Sequence, residues 1–100
     1  MKILNENIKA AGRFYINESD KTLAELDYEF LEKNILLITH TEVDKSLEGK
    51  GIGRQLVAEA VNYARDRSFL IKATCPFAKK VLEKSEEYSD VYQKDNNSNA

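Results

Sequence analysis

Reactive and metal-binding side chains are scarce in this sequence of 100 residues. It has one cysteine, Cys75, and one histidine, His40. A single cysteine cannot form a disulfide within the chain, and one cysteine with one histidine is too few for a Cys/His metal site. The sequence therefore predicts a protein without a bound metal that works in a reducing compartment, the cytoplasm.

An excess of charge of either sign is also missing. Fifteen Lys and Arg against 17 Asp and Glu give a formal net charge of −2, whereas duplex binding depends on concentrated basic charge. No apolar run approaches the roughly 20 residues that span a membrane, and the first seven residues show no apolar signal-peptide core. We therefore expect neither nucleic acid nor a membrane as partner, and the length fits one globular domain.

Alternating apolar and polar residues indicate β-strands in the first half of the chain. The alternation is clearest over 24–30, and a shorter strand is expected over 13–17. A polar turn at 32–34 leads into 35–43, whose first residues are apolar on both faces, as in a central strand. These segments predict a three-stranded antiparallel meander, while residues 1–11 give no clear signal.

The second half of the chain changes to helical spacing. Apolar residues recur every three or four positions over 52–64, which predicts an amphipathic helix of about four turns. The apolar segment 69–75 predicts a strand that lies parallel to 35–43 through a right-handed crossover. A proline at the next position suits the start of a second helix over 76–85.

These elements predict an α+β fold in a single compact domain. An antiparallel meander is followed by a β-α-β unit with a parallel strand pair, and then by a C-terminal helix. We expect the domain to occupy residues 1–94. The polar segment 95–100 is expected to form a disordered tail.

Three of the four glycines lie within five residues, between the predicted central strand and the first helix. Gly49, Gly51 and Gly53 permit positive φ angles and a close approach by a ligand, and a helix N-terminus offers free N–H donors. With Lys50 and Arg54 beside them, these glycines predict a site for a phosphate or pyrophosphate. The spacing fits neither the P-loop nor the dinucleotide-binding fingerprint, and a turn that only caps the helix is the alternative.

The order of elements together with the loop 48–53 (EGKGIG) resembles the GCN5-related N-acetyltransferase (GNAT) family. The acetyl-CoA motif of that family is Gln/Arg-x-x-Gly-x-Gly/Ala; the glycines match it, and Glu48 stands in place of Gln or Arg. Segments 40–43 (HTEV) and 75–77 (CPF) are similar to a minimal subfamily of single compact GNAT domains. The resemblance covers about residues 12–92.

This resemblance implies an acetyl-CoA-dependent N-acetyltransferase that transfers an acetyl group to an amine on a protein or a small molecule. It implies that acetyl-CoA or CoA is bound by Thr41, Glu42, Val43, Gly49, Lys50, Gly51, Ile52, Gly53, Arg54 and Phe77. The alternatives are a non-catalytic CoA- or acyl-CoA-binding module or sensor, and a domain that keeps only the fold. The acceptor and the oligomeric state are left open.

Two side chains are candidates for the chemistry, since the resemblance places both near the thioester. His40 could accept a proton from an amine or thiol, or could be a strand-end histidine bonded to the backbone. Cys75 could carry the acetyl group if the second helix and His40 lower its pKa, or could be a small buried residue that lines the pocket. Glu42 and Tyr88 are further acid–base candidates, with a solvated strand position and a packing role as their alternatives.

Overall fold

Five strands form one sheet in the order β1-β2-β3-β4-β5 in the computed structural model, which describes residues 2–32 and 34–94. The strands are β1 (Leu4–Ile8), β2 (Ala11–Glu18), β3 (Lys21–Leu31), β4 (Ile35–Val43) and β5 (Leu70–Ala73). Neighbours from β1 to β4 pair antiparallel, and β5 pairs parallel to β4. The predicted meander and parallel strand pair are confirmed; the predicted tail, 95–100, lies outside the described residues.

Two helices flank β5 along the chain. The helix α1 (Ile52–Asp66) connects β4 to β5, and α2 (Pro76–Lys84) follows β5. Short 3-10 turns at Lys45–Leu47 and Glu86–Tyr88 precede α1 and follow α2. The predicted β-α-β unit and C-terminal helix are confirmed, and no helix within the described residues is long and apolar enough to cross a membrane.

The meander has one strand more than the sequence predicts. Leu4–Ile8 pairs with β2 at the edge of the sheet, and four of its five residues are exposed. Such a strand has no buried face and therefore no alternating pattern to detect. Its backbone is held by β2, and the side-chain amides of Asn5 and Asn7 donate to the hydroxyl of Tyr28 at 2.7 and 3.3 Å. The meander is therefore four-stranded rather than three-stranded.

The core lies against one face of the sheet. The strand side chains exposed by 4% or less all point to this face: Phe14, Ile16, Ala24, Leu26, Tyr28, Leu36, Ile38 and Ile71. The helix α1 covers them with five fully buried residues at helical spacing, namely Leu56, Val57, Ala60, Val61 and Ala64. Burial of each Leu or Val side chain contributes about 1.5–3 kcal/mol, so the position of α1 against the sheet is firmly set.

A β-bulge interrupts the regular alternation of β4. Tyr28 of β3 lies opposite Ile38, but its neighbour Asp27 lies opposite His40. Thr39 is therefore an extra residue without a partner of its own in β3. Beyond the bulge, side chains of β4 face the opposite way from what strict alternation along the strand predicts.

Candidate functional site

The loop before α1 and the first turn of that helix form an open surface over residues 49–54, which we call the cradle. Gly49 and Gly51 have φ angles of 81° and 74°, in the left-handed region that favours glycine. Gly51 is the N-cap of α1, and no side chain of the described residues caps it, so the first N–H groups of α1 have no partner within the helix. A Cβ on either glycine would meet nothing within 4 Å. The cradle therefore offers N–H donors to a space that a ligand can enter.

A groove of about 350 Å³ runs along the cradle toward the end of β4. It is lined by Thr41, Val43, Leu47, Glu48, Gly49, Gly51, Ile52, Gly53, Arg54 and Phe77. Of the residues that the resemblance assigns to the cofactor, Glu42 and Lys50 lie outside this lining, and the others are brought together by it. Their individual roles in binding stay predictions.

Gly53 and Phe77 hold the first turns of α1 and α2 close together. A Cβ on Gly53 would lie 2.7 Å from Cζ of the Phe77 ring, so this glycine serves helix packing. Phe77 is 40% exposed and forms part of the wall of the groove. It also lines a second groove of about 530 Å³ along α2, together with Arg54, Lys80, Val81, Lys84, Ser85, Glu86, Glu87 and Tyr88. The two grooves therefore share Arg54 and Phe77.

The strands β4 and β5 separate beside the first groove. Their paired residues end at Ile38 and Ala73. The N–H groups of Thr74 and Cys75 both donate to the carbonyl oxygen of Ile38, at N–O distances of 3.0 and 3.4 Å. Since β4 continues to Val43, a gap opens between the end of β4 and the start of α2.

Cys75 lies at this gap, on the groove side of β4. It is the N-cap of α2 and precedes Pro76. Its Sγ atom lies 3.4 Å from Oγ1 of Thr41, and the residue is only 6% exposed. The thiol is therefore in contact with a residue that lines the groove, but most of its surface is covered.

His40 lies on the opposite face of the sheet, which we call the open face. Its neighbour Thr41 pairs with the core residue Leu26, so the imidazole points away from the core. The His40 side chain is 57% exposed, and its Nε2 atom lies 3.4 Å from Oε1 of Glu42. Within the described residues no hydrogen bond joins His40 to Cys75, so the two candidates do not form a contacting pair.

A charged cluster that was not predicted from the sequence lies beside His40 on the open face. Asp27 lies opposite His40 in the strand register. Arg13, on the next strand, contacts Glu6 and Glu25 at 2.8 and 2.7 Å. Burial, followed by the nearby Glu25 carboxylate, raises the pKa of Asp27 above its ordinary value, although His40 and Arg13 act in the opposite direction. The alternation of apolar and polar residues predicts that Arg13, Glu25 and Asp27 each point away from the core. Their position next to His40 depends on the strand register, which the sequence does not show.

Tyr88 is positioned by packing at the second groove. The residue is 9% exposed, and burial, followed by the nearby Glu87 carboxylate, raises the pKa of its hydroxyl. Residues 87–90 are held against α1 by Arg65, which contacts Asp90 at 2.7 Å and donates to the carbonyl oxygen of Glu87.

No group of three or more His, Cys, Asp or Glu side chains in the described parts of the chain could hold a metal ion.

Comparison with known proteins connects this geometry to a family. The family model described as GCN5-related N-acetyl-transferase matches residues 13–91. The chain belongs to this family. It is also similar to the solution structure of a GCN5-like protein from Staphylococcus aureus, with 36% identity, a TM-score of 0.75, and coverage of 96% of this chain and 91% of that one. The predicted GNAT fold and the assignment to the acetyltransferases are thereby confirmed.

Two more distant structures share the fold alone. A ribosomal-protein-alanine N-acetyltransferase from Brucella melitensis biovar Abortus 2308 is 18% identical, with a TM-score of 0.65 over 77% of this chain. AAC(6')-Iy in complex with a CoA-containing bisubstrate analogue is 12% identical, with a TM-score of 0.55 over 77% of this chain. The aligned parts make up 62% and 61% of those two chains. A search of curated proteins finds no significant match.

Proposed function

We propose that this protein is an acetyl-CoA-dependent N-acetyltransferase of the minimal GNAT type. The observation that carries the proposal is the open cradle, where two left-handed glycines precede the uncapped N-terminus of α1. Free N–H groups and the positive end of a helix favour a bound phosphate or pyrophosphate. Lys50 and Arg54 add two cationic side chains that form no ion pair within the described residues.

The groove supports a binding role for residues on both sides of it. The cradle would hold the pyrophosphate of CoA, while Thr41 and Val43, which line the same groove, would hold the pantetheine arm beside the gap between β4 and β5. Phe77 would cover the arm from the α2 side. Acetyl-CoA supplies an activated acetyl group; the chain must position it and accept the proton of the amine.

We favour direct transfer to the amine over an acetyl-cysteine route. Cys75 is only 6% exposed, and its sulfur is in contact with Thr41, which supports a packing role behind the wall of the groove. His40 is exposed on the open face, where an acceptor amine could approach the gap and give up its proton. An open approach favours an amine on a protein surface or a small polyamine over a deeply enclosed metabolite.

Mass spectrometry of the protein mixed with acetyl-CoA, first native and then denatured, tests both parts of the proposal. We expect a one-to-one complex in the native spectrum and no acetyl group on Cys75 after denaturation. An acetyl group that survives denaturation and maps to Cys75 would overturn direct transfer. If no complex forms at cofactor concentrations far above those in cells, the assignment of the cradle to CoA is wrong.

A CoA-binding module without catalysis is the second candidate, and the position of His40 on the face opposite the groove favours it. Turnover distinguishes the two functions, because a binding module holds acetyl-CoA but releases CoA no faster than spontaneous hydrolysis. A panel of amines, from polyamines to lysine peptides, should be compared with an amine-free control. Amine-dependent CoA release would exclude the binding module.

A further inference from the structure

One carboxylate faces the same groove as the cradle. Glu48 lines the groove together with Gly49 and Arg54. Its backbone N–H donates to the carbonyl oxygen of Lys45 at 3.2 Å, so the main chain fixes where the residue sits. The side chain is exposed and forms no hydrogen bond or ion pair within the described residues. Glu48 therefore places a negative charge, which has no ion-pair partner among the described residues, beside the cradle, whose N–H donors and cationic side chains favour anions.

A structural role does not account for this carboxylate. It caps no helix, since the cap of the preceding 3-10 turn is made by the backbone N–H of Glu48 rather than by its side chain. Its removal would leave no buried polar group without a partner, because the residue is exposed. Substitution by glutamine keeps the size and shape of the side chain and changes only its charge.

We infer that Glu48 limits the affinity of the cradle for CoA and acetyl-CoA by repelling their pyrophosphate. This inference rests on the proposed function. With Glu48 present, the charged side chains at the cradle, Glu48, Lys50 and Arg54, sum to +1 instead of +2. A single exposed charge acting on a pyrophosphate through water is expected to change binding by about three- to tenfold, and added salt screens this effect.

The experiment is a calorimetric titration of CoA into the parent protein, Glu48→Gln and Glu59→Gln. The last variant is the matched control, because Glu59 is an exposed carboxylate farther along α1, outside the groove, and its loss changes the net charge equally. We expect Glu48→Gln to bind CoA about three- to tenfold more tightly at low salt, with a smaller gain at high salt. Glu59→Gln should match the parent protein. Pantetheine, which lacks the pyrophosphate, should bind the parent and Glu48→Gln equally.

The outcomes separate this inference from the proposed function. If the parent protein binds CoA and Glu48→Gln binds it equally or less tightly, the inference is wrong and the proposed function stands. An equal gain in Glu59→Gln would also overturn it, since net charge alone would be responsible. A gain in parent affinity with Mg²⁺ that Glu48→Gln lacks would show that the carboxylate attracts the pyrophosphate through a cation, and would overturn it too. If no form of the protein binds CoA, the proposed function itself fails.

Discussion

The two faces of β4 differ in the chemistry that surrounds them. On the core side, Thr41 contacts the thiol of Cys75 and lines the groove that leads to the cradle. On the open side, His40 lies beside a cluster of charged residues from four strands, with Glu42 next to it and Asp27 opposite it. Under the proposed function the two faces have different roles. The core side binds the acetyl donor, and His40 on the open side accepts the proton of the amine.

This division depends on one extra residue. Without the bulge at Thr39, His40 would follow the alternation of Leu36 and Ile38 and face the core. With it, His40 faces outward and Thr41 faces the groove. The same strand therefore supplies a groove residue and an exposed imidazole at adjacent positions.

The largest effect is expected from removal of the imidazole on the open face. Under the proposed function, His40→Ala loses the group that accepts the proton of the amine. General-base catalysis by such a group typically raises the rate by about a hundredfold or more. We expect turnover to fall by about that factor, while the affinity for CoA measured by calorimetry stays unchanged. Glu29→Gln, which alters an exposed residue of the neighbouring strand β3, is the control. Equal turnover in His40→Ala and the parent would remove His40 from the mechanism.

The second largest effect is expected on the core side of β4, where a substitution in the cradle should weaken CoA binding. Gly51→Val forces a β-branched residue into a φ of 74° and fills the open space of the cradle. We expect CoA affinity to fall about ten- to a hundredfold, since the N–H donors are displaced and covered.

A matched control separates ligand contact from backbone strain in that experiment. Ser68 has a φ of 59° at the other end of α1, so Ser68→Val introduces comparable strain far from the groove. We expect this variant to lose stability but to keep its affinity for CoA. Unchanged affinity in a folded Gly51→Val protein would mean that the cradle does not bind the pyrophosphate.

Features encoded by neighbouring residues could be predicted from the sequence. The apolar spacing over 52–64 predicts α1, and the clustered glycines predict the N-terminus of this helix and the cradle. Each of these features depends on residues that are close together in the chain. The alternation over 24–30 likewise indicates the one-sided burial of β3.

Features that depend on pairing could not be predicted in the same way. The edge strand Leu4–Ile8 has no pattern of its own, and β2 determines that it forms. The bulge at Thr39 is visible only when β4 is aligned with β3, so the sequence does not reveal that His40 and Cys75 face apart. The charged cluster around His40 is likewise assembled from separate strands by the register of the sheet.

The smallest expected effect concerns the charges of the open face. Burial, and then the neighbouring Glu25, raise the pKa of Asp27 in the folded protein above its ordinary value. A carboxyl whose folded-state pKa is raised binds its proton more tightly in the folded state. It therefore lowers stability at neutral pH, and this cost disappears as the pH falls through the raised pKa toward the ordinary one.

Asp27→Asn should therefore stabilise the protein at neutral pH by well under about 1 kcal/mol, because much of the interaction is screened by solvent. Urea unfolding at pH 7 and near pH 3 measures this: the gain should be present at the higher pH and absent at the lower one. A variant that is less stable at pH 7 would show that the carboxylate is favourably held by Arg13 and His40. In that case the charges of the open face would stabilise one another, and His40 would be the one feature that distinguishes the chemistry of the open face from that of the core side of β4.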